Sequence, residues 1–91
     1  ENAGYTLDLS DLQLNDDELI QLLPEIAKLP ALGALNLKRN SITGKSIESM
    51  VNDLPNIQEL NLTGCPHLIE NNGSIYLTQL KYLRTLDVTR N

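Results

Sequence analysis

Cys65 and His67 stand two residues apart across Pro66, and a thiol beside an imidazole is a pairing from which a nucleophile or half of a metal site can be built. Zinc needs three or four ligands, and the sequence holds one cysteine and one histidine. Glu70 could add a carboxylate, but nothing in its spacing matches a ligand pattern. A glycine-rich phosphate loop, a nucleophile elbow and paired carboxylates of recognisable spacing are also missing from the sequence. The expectation is therefore no catalysis, no metal and no cofactor, with His67 a loop residue.

Cys65 has a second explanation. The series Leu32, Leu35, Leu37, Asn40, Ile42 returns as Ile57, Leu60, Leu62, Cys65, Leu68, and again, shortened, as Leu83, Leu86, Val88, Asn91. Asn40, Cys65 and Asn91 thus hold one recurring position, a structural ladder. Just past a strand, an inward side chain can satisfy loop backbone groups that no sheet neighbour reaches. Copy one departs from this pattern, with Leu12 at that position and Gly4 where the first leucine is expected.

The elements that carry these positions follow from the same spacing. Leu7 to Leu35, Leu35 to Leu60 and Leu60 to Leu86 are separated by 28, 25 and 26 residues. Each interval opens on an alternating stretch: Leu7-Asp8-Leu9-Ser10, Leu35-Asn36-Leu37-Lys38, Leu60-Asn61-Leu62-Thr63 and Leu86-Asp87-Val88-Thr89. Period-two alternation places the leucines on one face of a short strand and the polar residues on the other. Four such strands are expected side by side as a parallel sheet, whose crossovers must be supplied by the segments between them.

Those segments have helical spacing. Asn15 or Asp16 can cap a first helix, with Leu19, Leu22, Leu23 and Ile26 as its apolar stripe and Pro24 expected to kink it or start a second turn. Ile47, Met50, Val51 and Leu54 form the second stripe. Ile75, Tyr76, Leu77 and Leu80 form a weaker third, after a turn at Asn72-Gly73-Ser74.

Alternation projects Thr6, Asp8 and Ser10, then Ala34, Asn36 and Lys38, then Glu59, Asn61 and Thr63, then Thr85, Asp87 and Thr89 onto the same sheet face. Neighbouring strands lie about 4.8 Å apart, so these side chains form one small, polar, lightly acidic patch suited to a basic segment of a partner protein. No Trp, Tyr or Arg, the usual anchors of binding energy, stands among them.

The repeated residues resemble leucine-rich repeat proteins, in particular the ribonuclease-inhibitor-like and cysteine-containing subtypes, the latter seen in F-box proteins. Asn40, Ile42, Gly44, Ile47, Val51 and Leu54 match the former pattern, and Cys65 in the asparagine position matches the latter, with Leu68 one residue late. The resemblance runs from about Leu7 to Asn91. It implies an α/β fold: a right-handed leucine-rich repeat solenoid with a short parallel sheet on the concave side and helices on the convex side. It also implies protein binding, commonly through the concave face. The chain is expected to be one domain, 1–91, with repeats at about 4–31, 32–56 and 57–82 and a partial repeat at 83–91.

Composition narrows the function classes. A net charge of −5 argues against nucleic acid and against an anionic membrane surface. No apolar run approaches the roughly 18 residues of a membrane span. The first residues, Glu1-Asn2-Ala3-Gly4, lack the basic start and apolar centre of a signal peptide. A single cysteine fits a reducing compartment, so an intracellular, cytoplasmic location is the expectation. Asn61-Leu62-Thr63 and Asn72-Gly73-Ser74 match the glycosylation triplet, but Asn61 falls within an expected strand and neither is read as evidence of secretion. Uncapped solenoid ends expose apolar side chains and strand edges, so either the natural chain continues or its ends self-associate. The expected function is a protein-protein interaction module, a segment of a larger intracellular protein such as a substrate-recruiting or effector protein. The alternative is a structural spacer without its own ligand, and an enzyme domain ranks behind both.

Overall fold

The structure is a computed structural model and describes residues 4–90. It is an α/β protein with one four-stranded parallel sheet in the order β1 (Tyr5–Asp8), β2 (Leu32–Asn36), β3 (Glu59–Asn61), β4 (Thr85–Asp87). The helices α1 (Asp16–Ile26), α2 (Gly44–Asp53) and α3 (Gly73–Leu77) lie between successive strands, and a 3-10 turn, Glu70–Asn72, precedes the last. Helix α2 packs between α1 and α3.

The sheet register follows the sequence period. Leu7 pairs with Leu35, Leu35 with Leu60 and Leu60 with Leu86, and Asp8, Asn36, Asn61 and Asp87 run alongside as a second row. The leucine rows join the helix stripes in one buried cluster: Leu35, Leu37, Leu60 and Leu62 from the strands and the steps after them, Leu19, Leu23, Ile47 and Met50 from the helices. Every crossover therefore covers the leucine face and leaves the alternate face open.

The strands begin and end earlier than the leucine pairs suggest. In each copy the second apolar residue (Leu9, Leu37, Leu62, Val88) lies beyond the strand, because the Asp or Asn before it starts a turn. Asp8, Asn36, Asn61 and Asp87 each accept, on Oδ1, the amide of the residue two positions on, at 2.9, 3.1, 3.0 and 3.1 Å. These are four copies of one Asx turn, the local bond that short Asp and Asn side chains offer in competition with a continuing strand. Next in each copy comes a residue with positive φ: Asp11 at 59°, Arg39 at 59°, Gly64 at 71° and Arg90 at 64°. The copies still hold one another through this bend, since Leu9, Leu37 and Leu62 donate to the Asn36, Asn61 and Asp87 carbonyls at 2.7–2.9 Å.

Helix α1 starts with a capping box. Asn15 accepts the Glu18 amide and Glu18 accepts the Asn15 amide, which satisfies two of the donors left over at a helix start. It then runs through Pro24 to Ile26 instead of breaking there. Leu19, Leu23 and Ile26 are buried, whereas Leu22 is exposed. In the third segment Leu80 is buried and Ile75 is exposed, so that stripe is narrower than its spacing implied. The helix layer is close at α2 and α3, because Gly44 and Gly73 approach each other and the neighbouring chain. A Cβ on Gly44 would overlap the Asn71 carbonyl oxygen, and one on Gly73 the Leu68 carbonyl oxygen.

Candidate functional site: the open face of the sheet

Thr6, Ala34, Asn36, Glu59, Asn61, Thr85 and Asp87 line a single open depression of about 230 Å³ over the middle of the sheet. Ala34 is buried in its floor, Asn36, Glu59, Asn61 and Asp87 are half-buried, and Thr6 and Thr85 are exposed. Register accounts for their meeting: Thr6, Ala34, Glu59 and Thr85 form one row across the four strands, and Asp8, Asn36, Asn61 and Asp87 the next. Ser10, Lys38, Thr63 and Thr89 follow at the turns, where Asp11, Arg39 and Gly64 donate to the Lys38, Thr63 and Thr89 carbonyls.

The face carries the carboxylates of Asp8, Glu59 and Asp87 and the ammonium of Lys38. The Ser10 hydroxyl and amide hold the Asp8 carboxyl below the ordinary aspartate value, and Lys38 acts in the same direction. The Thr89 amide, then the Thr63 and Thr89 hydroxyls, do the same for Asp87. Both therefore stay ionised at neutral pH. Part of the hydrogen-bonding capacity of this face is already used within the protein. The Ser10 hydroxyl donates to Asp8 Oδ1 at 2.7 Å and the Thr89 hydroxyl to Asp87 Oδ1 at 3.0 Å. Each Asp or Asn in the second row thus has two roles, closing a turn with one oxygen while standing on the open face.

Cys65 and His67 have separate partners. Cys65 is fully buried and its Sγ donates to the Leu37 carbonyl at 3.2 Å. Burial pushes its thiol up, which disfavours the reactive thiolate. His67 is exposed, with Nδ1 2.8 Å from a Glu70 carboxylate oxygen. No group of three His, Cys, Asp or Glu residues able to hold a metal occurs among the described residues. Among them, too, no helix is long and apolar enough to cross a membrane.

Asn40 is buried and uses both ends of its amide. Oδ1 accepts the Leu14 amide at 2.9 Å, while Nδ2 donates to the Leu9 and Leu37 carbonyls at 3.0 Å each and to Lys38 at 3.4 Å. Its ladder partner Asn91 lies outside the described residues. Leu12, the copy-one residue at this position, is exposed, and Asn40 reaches back to satisfy the copy-one loop in its place.

Sequence reasoning overlooked a second polar connection. The Asp16 carboxylate, in the first turn of α1, accepts the Thr43 amide at 2.8 Å and the Thr43 and Ser46 hydroxyls at 2.7 Å each. Thr43 caps α2, and its hydroxyl oxygen also accepts Asn71 Nδ2 at 2.9 Å, so one threonine ties three successive copies together. Burial works to raise the Asp16 carboxyl, but the bonds from Thr43 and Ser46 outweigh it and hold the carboxyl below its ordinary value. The available signal was an Asp in one helix start and a Thr-x-x-Ser in the next. Arg39 and Asp11, at equivalent positive-φ positions of adjacent copies, also form a bidentate ion pair on the surface.

No protein-family model matches the chain, and no curated protein matches it.

Proposed function

We propose that this chain is a leucine-rich repeat solenoid, wound right-handed as parallel crossovers are, that serves as a protein-interaction module. Its ligand is an extended, basic segment of a partner protein lying across the concave sheet face. One observation carries this reading: four parallel strands leave one face uncovered, with Glu59 and Asp87 lining an open depression on it and Asp8 and Lys38 beside it, three carboxylates against a single ammonium. Such a surface favours positive partners through complementarity and faster encounter more than through a few deep anchors. A role within a larger intracellular protein, as a substrate-recruiting or effector segment, belongs to the same proposal.

A spacer reading draws on the Asx turns. Asp8, Asn36, Asn61 and Asp87 serve the turn in every copy, so a scaffold that binds nothing would need the same residues.

Titration of isotopically labelled protein with a library of extended, Lys- and Arg-bearing peptides separates the two. Saturable shifts of the Ala34, Asn36, Glu59 and Asn61 amides are expected. Shifts confined to the helices, or none with any peptide, would overturn the concave-face assignment.

A further inference from the structure

We propose, resting on the reading of the sheet face as a surface for a basic segment, that its depression is a socket for one arginine side chain, with the stem over Ala34 and the guanidinium between Glu59 and Asp87. Ala34 makes the socket. In the row Thr6, Ala34, Glu59, Thr85 it is the one side chain that stops at Cβ, so the row dips between Thr6 and Glu59. The space, about 230 Å³, is smaller than the roughly 300–1,000 Å³ of small-molecule sites and suits a single long side chain instead.

Glu59 supplies the charge. The other two carboxylates of the face are bonded within the protein, Asp8 by Ser10 and Asp87 by Thr89. Among the described residues no hydrogen bond or ion pair reaches the Glu59 carboxylate, although the residue is half-buried at the edge of the dip. Ala34 and Glu59 are register partners, so a stem entering over Ala34 ends beside that carboxylate. Glu59 and Asp87 stand on neighbouring strands, two residues apart in register. At about 4.8 Å between strands and about 3.3 Å per residue, their Cα atoms are about 8 Å apart. A guanidinium carries five donors in a planar fork and can address both carboxylates at once, whereas a lysine ammonium is a compact, strongly hydrated point charge that gains less on leaving water. Asn61 shares a strand with Glu59 and a row with Asp87. Its Oδ1 accepts the Thr63 amide and has a second lone pair for a further donor of the same fork.

Two acetylated, amidated peptides test this by titration into the isotopically labelled protein: Lys-Ser-Thr-Arg-Thr-Ser-Lys and the same peptide with lysine at its centre. The arginine peptide is expected to bind the wild-type chain about five- to tenfold more tightly, with its largest shifts at the Ala34 and Glu59 amides. Ala34→Leu fills the dip from the open face without altering charge, and is expected to bring the arginine peptide down to the affinity of the lysine peptide. Equal affinities in the wild-type chain, with shifts on the sheet face, overturn the socket and leave the surface reading intact. An arginine preference that survives in folded Ala34→Leu protein overturns the placement over Ala34. Absence of sheet-face shifts with either peptide overturns the surface reading and the socket with it.

Discussion

Asn40 and Cys65 donate to the same acceptor, the Leu37 carbonyl oxygen, from within one repeat and from the next. The carbonyl has two lone pairs and is buried just beyond a strand, so each repeat supplies one of its partners. This is the physical content of the ladder: a polar side chain turned inward at a fixed period satisfies the backbone where the sheet stops.

The two donors should not cost the same to remove. Asn40→Ala leaves the Leu14 amide and the Leu9 carbonyl without their partner and is expected to destabilise by about 2–4 kcal/mol. Cys65→Ala removes a weak donor from a carbonyl that keeps Asn40, and about 1 kcal/mol is expected. Urea unfolding of the two variants measures both, and equal costs would mean that the amide network is not what the ladder provides.

The Asx turns predict a chemical rule on the sheet face. Asn61→Asp keeps the Oδ1 acceptor for the Thr63 amide and is expected to change stability by a few tenths of a kcal/mol. Asn61→Ala removes it and is expected to cost about 1 kcal/mol. Similar melting behaviour for both would remove the turn as the reason for this residue type.

Gly44→Ala and Gly73→Ala each set a methyl group against a backbone carbonyl that cannot swing aside. About 2 kcal/mol or more is expected for either, against about 0.5 kcal/mol or less for Ser74→Ala on the exposed side of α3. Thermal denaturation distinguishes these, and an innocuous Gly44→Ala would show that α2 does not pack this closely on the start of α3.

Acid should weaken the fold through its aspartates. Asp8, Asp11, Asp16 and Asp87 are all held below the ordinary value of 3.8, Asp11 by the Arg39 side chain. A carboxyl lowered on folding contributes stability that is fully present above its unfolded pKa and is lost as pH falls through its folded pKa. The urea midpoint is therefore expected to change little from these groups between about pH 5 and 7 and to fall below about pH 4. Asp16→Asn should make that acid decline shallower, and an unchanged decline would remove the Asp16 network from the account.

The parts of the fold legible in the sequence are those governed by apolar spacing. Leu7, Leu35, Leu60 and Leu86 share one row because alternation at a near-constant period leaves the strands no other register that keeps all four on the helix-covered face. The positive-φ bend was hidden, since only Gly64 of the four residues there announces it while Asp11, Arg39 and Arg90 do not. Strand ends were misplaced for a related reason: an Asn or Asp within an alternating stretch reads as the polar face of a strand, yet its side chain ends that strand by bonding two residues ahead. Pro24 reads as a break and sits inside α1. Leu22 and Ile75 fit a helical stripe by spacing but fall outside the strip that the sheet covers, and no periodicity reveals how wide that strip is. On the candidate site, alternation placed the side chains correctly on one face. It could not show that Asp8, Asn36, Asn61 and Asp87 already hold turns.

That double role decides how the central claim is best tested. Charge reversal at Asp8 or Asp87 would damage the turns along with the surface, so the informative variant is Asp8→Asn, Glu59→Gln, Asp87→Asn, which removes three charges and keeps every Oδ1 acceptor. Affinity capture from cell extract should be run with this variant beside the wild-type chain, after equal stability has been verified by urea unfolding. The account predicts proteins with basic segments that the wild-type chain retains and the variant loses. The same proteins held equally by both would contradict recognition through the acidic sheet face.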